Sequence, residues 1–154
     1  FGGMDAVAGP MLKQMKALGI KAKFMGGDGI CSSGLVDLAG DGMADEQVYC
    51  AEAGGVEGEA KAGMDKFKAD FKAKFNADVQ VYAPYVYDSV KVMVEAMKAA
   101  DSSDPAKYLP KLKEINYKGV TGQIAFDEKG DIKNGALTLY TYKGGKRDQI
   151  AVVR

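Results

Sequence analysis

Between residues 5 and 19 apolar side chains return every three or four positions, and Met11, Leu12, Met15 and Leu18 fall on one stripe of a helix. Asp5 is placed to cap its start and Gly19 to stop it, with Pro10 required near the first turn or as a kink. Lys23, Phe24 and Met25 then read as a short buried strand that ends at Gly26-Gly27-Asp28-Gly29. Ser32 or Ser33 can cap a second short helix over Leu35, Val36 and Leu38, closing at Gly40, and Gln47-Val48-Tyr49-Cys50 is the next strand. Helix, strand, helix, strand with short turns predicts an α/β chain whose parallel sheet is covered by helices.

After Cys50 the pattern changes. Residues 51–58 are loose and glycine-rich, and a long helix over 59–75 carries Met64, Phe67, Phe71 and Phe75 on one face and lysines on the others. A third helix over 84–100 is expected to bury Val86, Val90, Met93, Val94 and Met97. Asp104 and Pro105 stand in the order of a cap and a first helical residue, opening a fourth helix with Leu109, Leu112 and Ile115 packed inward. Gln123 to Phe126 form a short strand stopped by Gly122 on one side and by Asp127-Glu128-Lys129-Gly130 on the other. The alternation from Leu137 to Tyr142, the turn Lys143-Gly144-Gly145-Lys146 and the run from Ile150 to Val153 predict a terminal antiparallel hairpin.

With 154 residues, 47% of them hydrophobic, the chain can build one core or two small ones. Twenty-one Lys and Arg balance 21 Asp and Glu, which disfavours nucleic acid or an anionic membrane as partner. No apolar run approaches the roughly 20 residues that span a bilayer, so a soluble chain is expected. No leader opens it, and Phe1-Gly2-Gly3-Met4 reads as a start inside a longer protein. There is no histidine, so the usual general base and a common zinc ligand are both missing. Cys31 and Cys50 match no zinc pattern. A disulfide closing a loop of about 20 residues would contribute roughly 3 kcal/mol and point outside the cytosol. Two unpaired buried thiols are an equal alternative on spacing alone.

The most suggestive candidate is Asp28, on a glycine bend at the end of an inferred parallel strand, where open α/β sheets hold ligands. Its carboxylate can accept charge-assisted hydrogen bonds from an ammonium, while the residues by themselves read first as a strand-to-helix turn. No phosphate loop is present. The acidic run at 127–131 lacks calcium-loop spacing, since Lys129 stands at the third position, and reads as a solvated turn. Tyr82, Tyr85 and Tyr87 can wall an apolar pocket or serve as core rings. Neither a nucleophile with a base nor a metal cluster is evident, so no enzyme activity, metal or cofactor is expected.

Taken in order, GGMDAVAGPMLKQMKALGI, KFMGGDGI, YAPYVYDSVKVMVEAMKAA and GVTGQIAFDEKGD resemble the carboxyl-terminal half of the periplasmic leucine/isoleucine/valine-binding proteins, the substrate-binding receptors of branched-chain amino acid ABC transporters. The resemblance covers the whole chain. It implies the type I periplasmic binding fold, two doubly wound lobes that clamp an amino acid between them and deliver it to a membrane permease. On that reading residues 1–50 belong to the second lobe, 51–121 to the first, and 122–154 to a crossing and return to the second with the terminal hairpin. Asp28 falls where the family places an acidic residue for the ligand's ammonium, Tyr85 matches an aromatic of the side-chain pocket, and Met4 stands at a position that is aromatic in the leucine/isoleucine/valine-binding form. The resemblance also implies a periplasmic location and a Cys31 to Cys50 disulfide. The family's carboxylate donors come from the amino-terminal half, so this stretch alone is expected to bind weakly, with self-association open to it. The alternative from another class is a cytosolic flavodoxin-like regulatory or enzymatic domain, which predicts reduced cysteines and one self-sufficient sheet; a receptor-type sensor is a further alternative.

Overall fold

Phe24 and Val48 begin two short apolar runs, and in the structure they stand opposite one another. The structure is a computed structural model that describes residues 1–54 and 59–154. Strand β1 (Phe24–Gly26) pairs in parallel with β2 (Val48–Ala53), Gly26 facing Cys50. Helix α1 (Asp5–Ala17) precedes β1, and helix α2 (Gly34–Ala39) lies between the strands. The chain divides into two compact units, Phe1–Gly55 with Gly135–Arg154, and Val56–Asn134.

The first unit continues the sheet with the terminal hairpin. Strand β5 (Leu137–Lys143) runs antiparallel to β2, and β6 (Lys146–Val153) antiparallel to β5, giving the order β1-β2-β5-β6. The expected hairpin and its Gly144-Gly145 turn are therefore present, and the sheet is mixed where a parallel one was expected. The core collects Leu12 from α1, Ile30, Leu35 from α2, Val48, Cys50 and Tyr142, all no more than 1% exposed. Two expectations for α1 need correction. Its N-cap is Met4, with Asp5 as the first helical residue, and Leu18 is 75% exposed because the helix ends at Ala17 and carries it past the buried stripe. Pro10 stands in the second turn of the continuous helix. Ser33 occupies the N-cap of α2 without a side-chain bond, while the Ser32 hydroxyl accepts the Leu35 N–H at 3.1 Å.

The second unit holds α3 (Glu59–Phe75), α4 (Ala83–Ala100), α5 (Pro105–Lys113) and a hairpin of β3 (Asn116–Gly119) with β4 (Gly122–Ala125). Helix α3 spans the residues its periodicity predicts, and the Phe67 ring meets Phe71 at 6.2 Å and Tyr87 of α4 at 5.1 Å. Asp104 caps α5 by accepting the Ala106 N–H at 3.0 Å, as expected from Asp-Pro. The face expected to be buried on α4 is so only in part: Met93 and Met97 are half-buried, Val86, Val90 and Val94 are exposed in this chain, and the fully buried column is Pro84, Asp88, Val92 and Ala96. The carboxylate in that column, Asp88, is described below. Leu109 of α5 is also exposed.

Strand β2 runs through the lobe boundary expected at Ala51, and β4, expected after the crossing at 122, pairs with β3 inside the second unit. Of the glycine-rich stretch at 51–58, residues 55–58 lie outside the described residues.

Candidate functional site

Asp28 opens a single 3-10 turn, Asp28–Ile30, at the carboxyl end of β1. Its carboxylate is exposed and accepts the N–H of Gly29 at 3.0 Å. Among the described residues no cation is paired with it. Glycine is required at the next position, because a Cβ on Gly29 would lie 2.7 Å from the Gly3 carbonyl oxygen and 2.8 Å from the Met4 sulfur. The Gly3-Met4 segment therefore seats directly on the Asp28 bend, with Met4 half exposed beside it. Phe1 completes this edge: its backbone nitrogen donates to the Met25 carbonyl at 2.8 Å and its ring meets Phe24 at 5.5 Å.

The segment after Asp28 is fixed on several sides. Cys31 and Cys50 form a disulfide with Cα atoms 5.5 Å apart. The Ser32 hydroxyl donates to the Asp5 carboxylate at the start of α1. The Tyr142 hydroxyl, fully buried, lies 2.8 Å from the Ile30 carbonyl oxygen and 3.0 Å from that of Ser32, sharing its proton between them. Burial pushes this phenol up to about 12. Arg147 donates to the Cys31 carbonyl at 2.5 Å and to the Glu52 carboxylate at 2.7 Å, with its guanidinium 4.3 Å from the Tyr140 ring centre. Burial also raises the Tyr140 phenol above its ordinary value, helped by the Glu52 charge.

Tyr85 stands in the second unit, in the first turn of α4, and lines an apolar hollow of about 320 Å³ with Val92, Met93, Leu112, Ile124 and Phe126. The structure thus brings Met4 and Asp28 together in one unit and places Tyr85 on a hydrophobic wall of the other. At the same hollow lies a residue that the periodicity of α4 hides. Asp88 is 2% exposed, and its carboxylate accepts the Val120 N–H at 3.0 Å, the Thr121 N–H at 2.8 Å and the Thr121 hydroxyl at 2.6 Å. A Cβ on Gly119 would lie 2.3 Å from the Asp88 Oδ2 atom, which explains the first glycine of the Gly119-Val120-Thr121-Gly122 turn. The acidic turn that follows is closed by Asp127, whose side chain accepts the N–H groups of Lys129 and Asp131, each at 2.9 Å. That carboxylate is committed to the turn.

A family model described as periplasmic binding protein matches residues 2–147. The chain belongs to the periplasmic binding protein family. Within this family it is similar to Leu/Ile/Val-binding protein homolog 1 of Brucella abortus, 36% identical over 94% of this chain and 38% of the relative. It is also similar to the leucine-, isoleucine-, valine-, threonine- and alanine-binding protein of Pseudomonas aeruginosa, 32% identical over 92% of this chain and 37% of that protein. Among solved structures, the branched-chain amino acid transporter substrate-binding protein LivJ of Streptococcus pneumoniae, in complex with isoleucine, aligns with a TM-score of 0.79 at 25% identity, covering 99% of this chain and 43% of that one. The chain thus spans about two fifths of the length of the periplasmic binding proteins it matches. The α/β fold expected from the resemblance, of the type I periplasmic binding class, is the fold found. The flavodoxin-like alternative fails: the cysteines are paired, and the strands fall into two sheets.

Proposed function

We propose that this chain is part of a periplasmic receptor that binds an aliphatic amino acid of the branched-chain type and delivers it to a membrane ABC permease. The first unit is then part of the second lobe and the second unit part of the first. The observation that carries the reading is the exposed Asp28 carboxylate, unmatched by a cation among the described residues and standing at a strand's carboxyl end beside Met4. A zwitterionic aliphatic ligand needs an anion for its ammonium and an apolar wall for its side chain. Asp28 supplies the first with apolar Met4 beside it, and Tyr85 is the aromatic that the family resemblance assigns to the second. Capture works by hinge closure, with no bond made or broken. The names of the relatives support the ligand class, and the disulfide agrees with an oxidising compartment.

Calorimetry on the full-length protein that carries this chain tests the reading. Leucine, isoleucine or valine should bind in preference to lysine and glutamate. Asp28→Asn should weaken binding by on the order of 10- to 100-fold, the scale of a charge-assisted hydrogen bond. No heat with any aliphatic amino acid, or wild-type affinity in Asp28→Asn, would refute it.

A further inference from the structure

The bend that carries Asp28 is tied to the terminal hairpin by the Tyr142 hydroxyl and by one guanidinium. Arg147 lies on β6 directly opposite Tyr142 of β5, so both side chains share a face of the sheet. From there Arg147 reaches the Cys31 carbonyl, and the Cys31 N–H in turn donates to the Asp28 carbonyl at 2.9 Å. Arg147, anchored on Glu52, thus holds the peptide that follows Cys31, while the peptide that precedes it carries the N–H bonded to the Asp28 carbonyl, so the two contacts meet at the Cys31 Cα. Its anchor is firm. The Glu52 side chain is only 12% exposed and its charge is met by Arg147, while the Tyr140 ring lies against the guanidinium. A guanidinium offers several donors in one rigid plane, which lets it serve a carboxylate and a carbonyl at once; an ammonium lacks that fixed fork.

The disulfide does not make this contact redundant. It fixes where Cys31 sits but not how the peptides on either side are turned: the Tyr142 hydroxyl meets the carbonyl of the preceding one, and Arg147 meets the carbonyl of the following one. We propose that Arg147 is a positioning residue for the ammonium site, holding the Cys31 carbonyl, and with it the turn that closes back on Asp28, so that the Asp28 carboxylate points toward the amino acid it meets. This rests on the reading of Asp28 given under the proposed function.

The test is a four-way comparison in the full-length protein, titrated with L-leucine by calorimetry: wild type, Arg147→Gln, Asp28→Asn and the double variant. Arg147→Gln should bind on the order of tenfold more weakly, as for a lost charge-assisted hydrogen bond. The double variant should be no weaker than Asp28→Asn alone, because a residue acting through Asp28 has nothing left to position once that charge is gone. Multiplying losses would mark Arg147 as merely structural and overturn the proposal, as would wild-type affinity in Arg147→Gln. Should Arg147→Gln not fold, Arg147→Lys, which keeps a charge beside Glu52 without the planar fork, is read by the same outcomes. Wild-type affinity in Asp28→Asn refutes the ammonium reading itself, a result separable from failure of Arg147→Gln alone.

Discussion

Replacing Asp88 with alanine removes the acceptor that, among the described residues, the Val120 and Thr121 amides use, and the size of the effect follows from the geometry. Two backbone donors at 3.0 and 2.8 Å lose their partner, in residues that are half-buried. An orphaned buried donor costs about 1–3 kcal/mol, and partial exposure places each of these near the low end, about 1 kcal/mol. Relief from burying the Asp88 charge offsets part of the loss and the lost Thr121 hydroxyl bond adds to it, leaving about 2 kcal/mol. Amide hydrogen exchange in the full chain reads this locally. Protection of Val120 and Thr121 should fall by roughly 30-fold, the equivalent of 2 kcal/mol, with little change in the terminal hairpin. Asp88→Asn sharpens the test. Its one remaining oxygen can keep the Thr121 N–H and hydroxyl, while its amide nitrogen must face the Val120 N–H, so protection should drop at Val120 and persist at Thr121. Gly119→Ala should lower both amides by pushing the carboxylate away, since the new Cβ would sit 2.3 Å from Oδ2. Unchanged exchange in Asp88→Ala, or equal losses at both amides in Asp88→Asn, would refute the reasoning.

Two further predictions concern the first unit. Reducing the Cys31–Cys50 disulfide, or replacing both cysteines with alanine, should cost roughly 3 kcal/mol for a loop of this length, measured as a lower urea midpoint; an unchanged midpoint would deny the bond a role in stability. Burial raises the Tyr142 phenol from its ordinary 10 to about 12, so the unfolded state loses its proton first as pH rises. The stabilisation is full below pH 10 and is lost between pH 10 and 12, about 2–3 kcal/mol in all. Wild-type stability should therefore fall more steeply than that of Tyr142→Phe across that interval, and parallel pH profiles would show the phenol to be already solvated.

What could be read from the sequence was local. The phenylalanine spacing of α3, the Asp-Pro start of α5 and the paired glycines of the β5–β6 turn act within a few residues, and each produced the expected element. The inner face of α4 could not be found that way, because periodicity counts valines and treats Asp88 as a surface residue. Three donors from 32 and 33 positions away meet that carboxylate inside the fold. Strand β3 was missed for a related reason: Asn116-Tyr117-Lys118-Gly119 has little apolar alternation, and its pairing with β4 supplies what its composition lacks. Nor does local pattern say that β5 will lie beside β2, a choice made by the whole first unit. For the site, Asp28 stood out by its glycine bend at a strand's end and Met4 came from the resemblance, whereas the contacts of Tyr142 and Arg147, 112 and 116 positions from their partners, left no signal in either stretch.

That separation has a physical consequence for recognition. Gly26, Gly27 and Gly29 surround Asp28 with residues that lose much conformational freedom on folding, and a carboxylate on a loose bend would have to be ordered again each time a ligand arrived. Here the ordering is done during folding: a disulfide, a buried tyrosine hydroxyl and a guanidinium hold the three residues after Gly29, and the Gly3-Met4 segment closes the other side. The glycines admit that close packing, and the terminal hairpin removes the freedom they would otherwise bring. If Asp28 receives an ammonium group as proposed, affinity for it would be set partly by these distant side chains, so substitutions on β5 and β6 should alter ligand binding before they alter the fold.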